Sequence, residues 1–270
     1  MKVYGIFGDE SVSNAKSPAM FAHVLGRLGI NAAYVPFRVT RKNLGHAIES
    51  VRVLDMAGAN VAFPYKEDVI PFLDILSEGA NIIGSVNTII RNGDQLKGYN
   101  THSIGIMDAL NSVGYTVKGK SALVFGAGGL AKAAVFILNW LGAGDVSVTG
   151  KNEAAAEKTA GRFDVSAAAL GDIAKGPVSA HIMVNASQRP IPDESGEMSD
   201  ILDKLDAPRC ELALDLNHGP AGEAWRNMAQ KKGIRFMDGL SPLAFQARRT
   251  FALWTGIQAP PENFLEALSL

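Results

Sequence analysis

Gly126, Gly128 and Ala131 carry the spacing G-x-G-x-x-G/A directly behind the apolar run Ser121–Phe125 and ahead of a helical pattern reaching Leu141. Each position then has a mechanical reason: a tight strand-to-helix turn at Gly126, close approach of main chain to a pyrophosphate at Gly128, and close helix–strand packing at Ala131. Ala127, Gly129 and Leu130 complete the loop. Its free N–H groups and the positive end of the helix favour a phosphate. Dinucleotide binding is the expected chemistry, with a purely structural glycine turn as the alternative. An NAD-selective site places Asp or Glu at the end of the second strand. Here that end reads Val148-Thr149-Gly150-Lys151-Asn152. No carboxylate stands there and Lys151 can meet a 2′-phosphate, so NADP is expected ahead of NAD. The plainer role for Lys151 is a solvated loop lysine.

A second set of polar residues falls around the ends of expected strands, where open α/β sheets hold their ligands. It comprises Asn60 and Lys66, then Asn87 and Thr88, then Asn100, Thr101 and His102. Ser17 precedes the first expected helix and Gln246 lies in the C-terminal segment. A lysine held near a carbonyl carbon that accepts hydride can donate a proton or stabilise the alkoxide. Taken singly, Lys66 and His102 also fit ordinary helix-start positions, and Asn87 fits a turn cap.

The elements that must position these residues follow from hydrophobic spacing. Val3–Phe7, Ala33–Val39 and Ala59–Phe63 read as strands, separated by helical patterns over Pro18–Leu28 and Asn43–Val53. Lys66–Leu76 returns to helical spacing. Val86–Ile90 and Leu96–Tyr99 flank Asn92-Gly93, a hairpin signal for a type I′ turn. Beyond Ser103–Val113, expected as a helix, strands recur at Ser121–Phe125, Val146–Thr149, Ile182–Asn185, Leu212–Leu216 and Ile234–Met237. Strands alternating with helices predict a parallel, doubly wound sheet. Ala154–Ala156 and Ala167–Ala169 read as helix-forming surface. The tail from Pro242 to Leu270 is expected to be helical and to pack back on the first domain.

Composition bounds the rest. The chain has 270 residues, with 26 basic and 27 acidic side chains giving a net charge of −1, and no block of like charge. That balance gives no reason to expect a nucleic-acid or anionic-membrane partner. The 47% apolar content is that of a globular chain. No apolar run approaches the ~20 residues of a membrane span. The N-terminal residues show no signal-peptide pattern. Cys210 is the one cysteine, so neither an internal disulfide nor a cysteine-based zinc site is expected, and no metal site is. A cytoplasmic enzyme or binding protein for a small molecule is the expectation.

In order and spacing the motifs resemble the shikimate dehydrogenase family along nearly the whole chain. They are Lys16-Ser17-Pro18, Gly58-Ala59-Asn60-Val61-Ala62-Phe63-Pro64-Tyr65-Lys66-Glu67, Gly84-Ser85-Val86-Asn87-Thr88, Tyr99-Asn100-Thr101, the glycine loop, Val184-Asn185-Ala186-Ser187, and Gln246-Ala247 with Phe251 and Trp254. The resemblance implies an N-terminal mixed-sheet substrate domain over residues 1–101, completed by helices from 240–270, and a Rossmann NADP-binding domain over 102–239. It implies reversible oxidation of a ring hydroxyl on shikimate or a related cyclohexene or cyclohexane carboxylate, within aromatic amino acid and chorismate biosynthesis. Catalytic roles fall to Lys66 and His102, substrate contacts to Asn14, Ser17, Asn87, His218 and Gln246, and cofactor contacts to residues 126–131, Lys151, Asn185 and Ser187. A homodimer is admitted as the assembly.

The chain also departs from the family pattern. His102 stands where an aspartate pairs with the lysine, and Ala62 where a threonine contacts substrate. Asn14-Ala15-Lys16-Ser17 has lost the first of two serines, and His218 replaces a tyrosine. Each lost charge-assisted hydrogen bond costs ~1.5–3 kcal/mol of binding. A dinucleotide-binding paralogue or sensor with altered ligand is therefore the second reading.

Overall fold

The computed structural model describes residues 1–187, 192–217 and 222–269. These form two compact units, one of Met1–Gly105 with Ala244–Leu270, the other of Ile106–Leu243. Both divisions fall inside continuous helices, His102–Ser112 and Leu240–Thr255, so no break in helical pattern marks them.

The first unit is built on strands β1 (Lys2–Gly8), β2 (Ala32–Arg38), β3 (Gly58–Val61), β4 (Ile75–Leu76), β5 (Thr88–Asn92) and β6 (Gln95–Tyr99). They form one mixed sheet in the order β2-β1-β3-β5-β6-β4. The β1–β2 and β1–β3 pairs are parallel, β3–β5 and β5–β6 antiparallel. The hairpin is present, but Asn92 pairs with Gln95, so its two loop residues are Gly93 and Asp94. Of these only Gly93 has positive φ, at 59°. The turn thus takes its glycine at the first central position and needs no second left-handed residue.

The helix expected over Lys66–Leu76 does not form. Those residues make a run of turns, a 3-10 helix at Ile70–Phe72 and β4. Pro71 has no N–H with which to continue a helix, and that ends the pattern. A helix unmarked by spacing, Glu78–Ile83, is capped by the Ser77 side chain at its start and by Gly84 with φ 68° at its end.

The C-terminal tail belongs to this first unit. The helix Leu240–Thr255 carries Trp254, whose indole N–H donates to the Ile89 carbonyl at 3.0 Å and whose ring stacks on Tyr4 at 4.6 Å. Phe21 and Tyr34 stack beside it at 4.5 Å. Gly58 is what admits the indole: a Cβ there would lie 2.4 Å from Trp254 Nε1 and 2.9 Å from the Ile89 carbonyl oxygen. Overpacking of this kind costs ~1–3 kcal/mol. We expect Gly58→Ala to lower the thermal midpoint by several degrees, read by calorimetry; an unchanged midpoint would show that the tail packs differently.

The second unit holds β7 (Ser121–Phe125), β8 (Asp145–Thr149), β9 (Ser166–Ala167), β10 (Ile182–Asn185), β11 (Leu212–Asp215) and β12 (Arg235–Met237). Every pairing is parallel, in the order β12-β11-β10-β7-β8-β9. This is the doubly wound order, with its topological switch between β7 and β10. Ala167 belongs to the edge strand β9 rather than to a helix. The core is apolar on both faces, with Val124, Met183, Val184, Leu212 and Leu214 all buried, as a two-sided parallel sheet requires.

Candidate active site

Lys66 lies in the turns after β3, with only 6% of its surface exposed. The Val86 N–H donates to its carbonyl at 2.7 Å, which ties this turn to the start of the β5 segment. Burial disfavours the ammonium and lowers the Lys66 pKa from 10.5 to about 8. A lysine titrating there can both take and give a proton near neutral pH.

Around it, the first unit contains a buried network of amides and hydroxyls. The Tyr34 hydroxyl donates to Asn60 Oδ1 at 2.9 Å, and burial pushes its pKa far above the usual value while a hydrogen bond with Ser17 opposes that. Asn60 Nδ2 donates to the Asn87 carbonyl at 2.9 Å and to Thr88 Oγ1 at 3.1 Å. Asn60 and Thr88 face each other in the β3–β5 register, which explains the contact. Asn87 Nδ2 donates to Thr101 Oγ1 and to Gln246 Oε1, both at 2.9 Å. The Thr101 N–H returns to Asn87 Oδ1 at 2.7 Å. Ser17, Asn87 and Gln246, from three distant parts of the chain, are thus gathered on one network.

His102 opens the helix His102–Ser112 and is half-buried. Its N–H and that of Ser103 donate to Asn100 Oδ1 at 3.1 and 3.3 Å, so Asn100 acts as the helix cap. Asn14 is exposed, at the end of the 3-10 helix Glu10–Asn14. Two members of the network escaped sequence reasoning. Tyr34 is an inward residue of β2 without a motif of its own. Thr250 lies four residues after Gln246, on the same face of its helix, and that spacing was the available signal.

In the second unit Gly126 follows β7 with φ 118°, a conformation L side chains rarely adopt. Its N–H donates to the Thr149 carbonyl at 2.7 Å. A Cβ on Gly126 would lie 2.7 Å from the Ala186 carbonyl oxygen. Among the described residues, nothing lies within 4 Å of a Cβ built on Gly128, at the N-cap of the helix Gly129–Trp140, and no side chain caps the first turn. The Ala127 carbonyl accepts from Thr159 Oγ1 at 2.9 Å, which anchors the loop to the next helix. The buried Thr149 hydroxyl at the end of β8 has no hydrogen-bond partner among the described residues. An open glycine cradle on uncapped helix N–H groups fits a dinucleotide pyrophosphate.

Ala131 is fully buried, as close helix–strand packing requires, and Leu130 is buried beside it. Lys151 is exposed between β8 and the helix Glu153–Phe163. Asn185, at the end of β10, accepts on Oδ1 from the Ser187 N–H at 3.2 Å and hydroxyl at 2.5 Å. Its Nδ2 donates to Asp215 Oδ1 at 3.0 Å. Burial raises the Asp215 carboxyl to about 6, against the pull of its Asn217 and Asn185 donors. His218 lies outside the described residues. Among the described residues no group of His, Cys, Asp and Glu is placed to hold a metal, and no helix is long and apolar enough to cross a membrane.

Residues 6–89 match the family model for the shikimate dehydrogenase substrate binding domain. The shikimate dehydrogenase (NADP(+)) of Desulforamulus reducens is 36% identical over 268 residues, covering 96% of this chain and 91% of that protein. The shikimate dehydrogenase (NADP(+)) of Pyrococcus furiosus is also 36% identical, covering 97% and 93%. Among solved structures, shikimate 5-dehydrogenase from Thermus thermophilus, in complex with NADP(H) and shikimate, superposes with a TM-score of 0.85 at 30% identity, covering 100% of this chain and 99% of that one.

Proposed function

The chain belongs to the shikimate dehydrogenase family, and we propose that it catalyses the NADP(H)-dependent, reversible oxidation of a ring hydroxyl on shikimate or a close cyclohexene carboxylate. The single observation that carries this reading is the buried Lys66, lowered to about 8, in the unit that gathers Ser17, Asn60, Asn87 and Gln246 on one network. The first unit is the substrate-binding part and the second the dinucleotide-binding part. NADP, when bound, supplies the two-electron hydride acceptor that alcohol oxidation needs. Gly126, Gly128 and the first turn of the following helix would hold its pyrophosphate. Lys151 would meet the 2′-phosphate, with Asn185 and Ser187 shaping the adjoining strand end.

The work of this chain's own groups is proton transfer and orientation. Neutral Lys66 Nζ accepts the proton of the reacting hydroxyl as the alcohol becomes a ketone. In the reverse direction its ammonium returns that proton to the alkoxide oxygen. His102 takes the place the family gives to a carboxylate, and we propose it as a second proton acceptor. Ser17, Asn87 and Gln246 orient the ring, and Asn14 and His218 are proposed further contacts. The compartment proposed is the cytoplasm and the assembly a homodimer, read by sedimentation.

The test is reduction of NADP⁺ and NAD⁺ by shikimate, with NADPH and NADH titrated by fluorescence. Turnover with NADP⁺ ahead of NAD⁺ is expected. In Lys151→Ala the NADPH affinity should fall about tenfold, for loss of one charge-assisted contact, while NADH binding holds. NADPH binding without oxidation of any ring alcohol of this class would overturn the enzyme reading in favour of a sensor.

A further inference from the structure

The hydroxyls of Thr88, Thr101 and Thr250 form a closed triangle inside the first unit. The Thr88–Thr101 side measures 3.2 Å, and the Thr88–Thr250 and Thr101–Thr250 sides 3.0 Å each. All three residues are buried. Their hydrogen-bond directions are not free, because a main-chain donor at one end cannot reverse. The Thr101 N–H points at Asn87 Oδ1, so the Asn87 Nδ2 group must face the other way. There its two hydrogens go to Thr101 Oγ1 and Gln246 Oε1. Asn87 has then spent both donors inside the protein and keeps only accepting capacity.

Gln246 Oε1 also accepts from the Thr101 hydroxyl at 3.0 Å. A hydroxyl has one hydrogen, so Thr101 must be an acceptor towards its other neighbours. Two sides of the triangle carry a hydrogen when these run from Thr250 to Thr88, from Thr88 to Thr101 and from Thr101 to Gln246. Thr101 then accepts from Asn87 and Thr88, and its approach to Thr250 is a packing contact of oxygens without a hydrogen between them. Asn60 Nδ2 enters the same run as a donor to Thr88. Two donors on Oε1 leave Gln246 Nε2 turned away from Asn87 and Thr101.

We propose that Thr101, held by Thr88 and Thr250, is a positioning residue that locks the Gln246 amide with both Nε2 hydrogens presented to a hydroxyl oxygen of the substrate, and leaves Asn87 able to bind substrate only as an acceptor. This rests on the reading of the first unit as the substrate-binding part. Gln246 then reads an oxygen as donor while Asn87 reads a hydroxyl hydrogen, so the pair distinguishes an alcohol from an ether or a deoxy analogue at its site.

The experiment compares Thr101→Val, which keeps the shape and removes the hydroxyl, with Thr101→Ser, which restores it. With shikimate and NADP⁺, Thr101→Val should raise KM about tenfold with kcat changed less than about threefold, as expected for one lost hydrogen bond. Thr101→Ser should return KM to within about twofold of the natural protein. In a Gln246→Ala background, Thr101→Val should add less than about twofold, since the two changes act on one interaction. Equal effects of Val and Ser, or full additivity with Gln246→Ala, would overturn the proposal. Side-chain amide hydrogen exchange of the full chain by NMR decides the matter without turnover. The Asn87 NH2 should exchange at least about tenfold more slowly than the Gln246 NH2, and lose that protection in Thr101→Val. If shikimate is not oxidised but this contrast holds, the functional reading fails and the positioning survives. If turnover is present and Gln246 is the protected amide, the positioning fails alone.

Discussion

Replacing Lys66 with methionine should cut turnover by orders of magnitude and stabilise the protein at the same time. The two effects have one cause. Lys66 is 6% exposed, and burial alone lowers its pKa from 10.5 to about 8. That difference corresponds to about 3 kcal/mol of disfavour for the ammonium in the folded state. Below about pH 8 the side chain is charged in both folded and unfolded chains, so the folded state bears the whole penalty. Between about 8 and 10.5 the folded chain has released its proton while the unfolded chain still binds one. The Lys66 contribution to stability therefore rises with pH across that window. Methionine fills the stem's volume without a charge, so Lys66→Met should gain about 1–3 kcal/mol at pH 7, and the gain should shrink above pH 8. Loss of the proton acceptor should cost about 10²–10⁴ in kcat/KM. Lys66→Arg should be as inactive, because a guanidinium holds its proton throughout. In the natural protein, kcat/KM for alcohol oxidation should climb to a plateau through about pH 8, and ketone reduction should decline over the same range. Denaturant melts at pH 7 and 9.5, with pH–rate profiles, read all of this. An active Lys66→Met protein would remove Lys66 from the chemistry.

Much of this was legible in the sequence where a local rule has one physical solution. The strand–glycine–helix run at 121–131 admits little else, and the structure places its residues at the switch point of a parallel sheet. The orphan tail was expected to return to the first domain, and Trp254 against Tyr4 and Ile89 shows how. Legibility stopped where the outcome depends on tertiary partners or on small offsets. The spacing in 66–76 suits a helix, but Pro71 breaks it, and Lys66 is held by turns instead. The hairpin glycine was read correctly while its turn was placed one residue early, since pairing register is decided across strands. Tyr34 and Thr250 carry no motif, and only the β3–β5 register and the returning helix bring their hydroxyls to Asn60 and Thr88. Composition cannot show such a network, because its members are ordinary threonines and amides until the fold assembles them.

The glycine loop separates binding from folding at two positions two residues apart. At Gly126 the main chain has φ 118°, and an added Cβ would meet the Ala186 carbonyl at 2.7 Å. The Cβ position is fixed by the main chain and the atoms it meets are main chain, at the ends of the neighbouring strands β7 and β10, so neither side can yield as a flexible side chain would. Gly126→Ala should cost stability in the range of ~1–3 kcal/mol for the forced conformation, and more for the contact. It should weaken NADPH binding at least about tenfold, because the loop can no longer place its N–H groups. Gly128 has an ordinary φ of −82° and a Cβ built on it meets nothing within 4 Å among the described residues. Gly128→Ala should therefore melt within about 0.5 kcal/mol of the natural protein, as surface changes do. Its methyl group nevertheless fills the open space that main chain needs for contact with a pyrophosphate, so NADPH affinity should fall by a similar factor. Fluorescence titration with NADPH and thermal melts of both variants read the contrast. Natural affinity in Gly128→Ala would mean that the pyrophosphate does not lie on this loop, and natural stability in Gly126→Ala would mean that the β7 and β10 ends are not in contact.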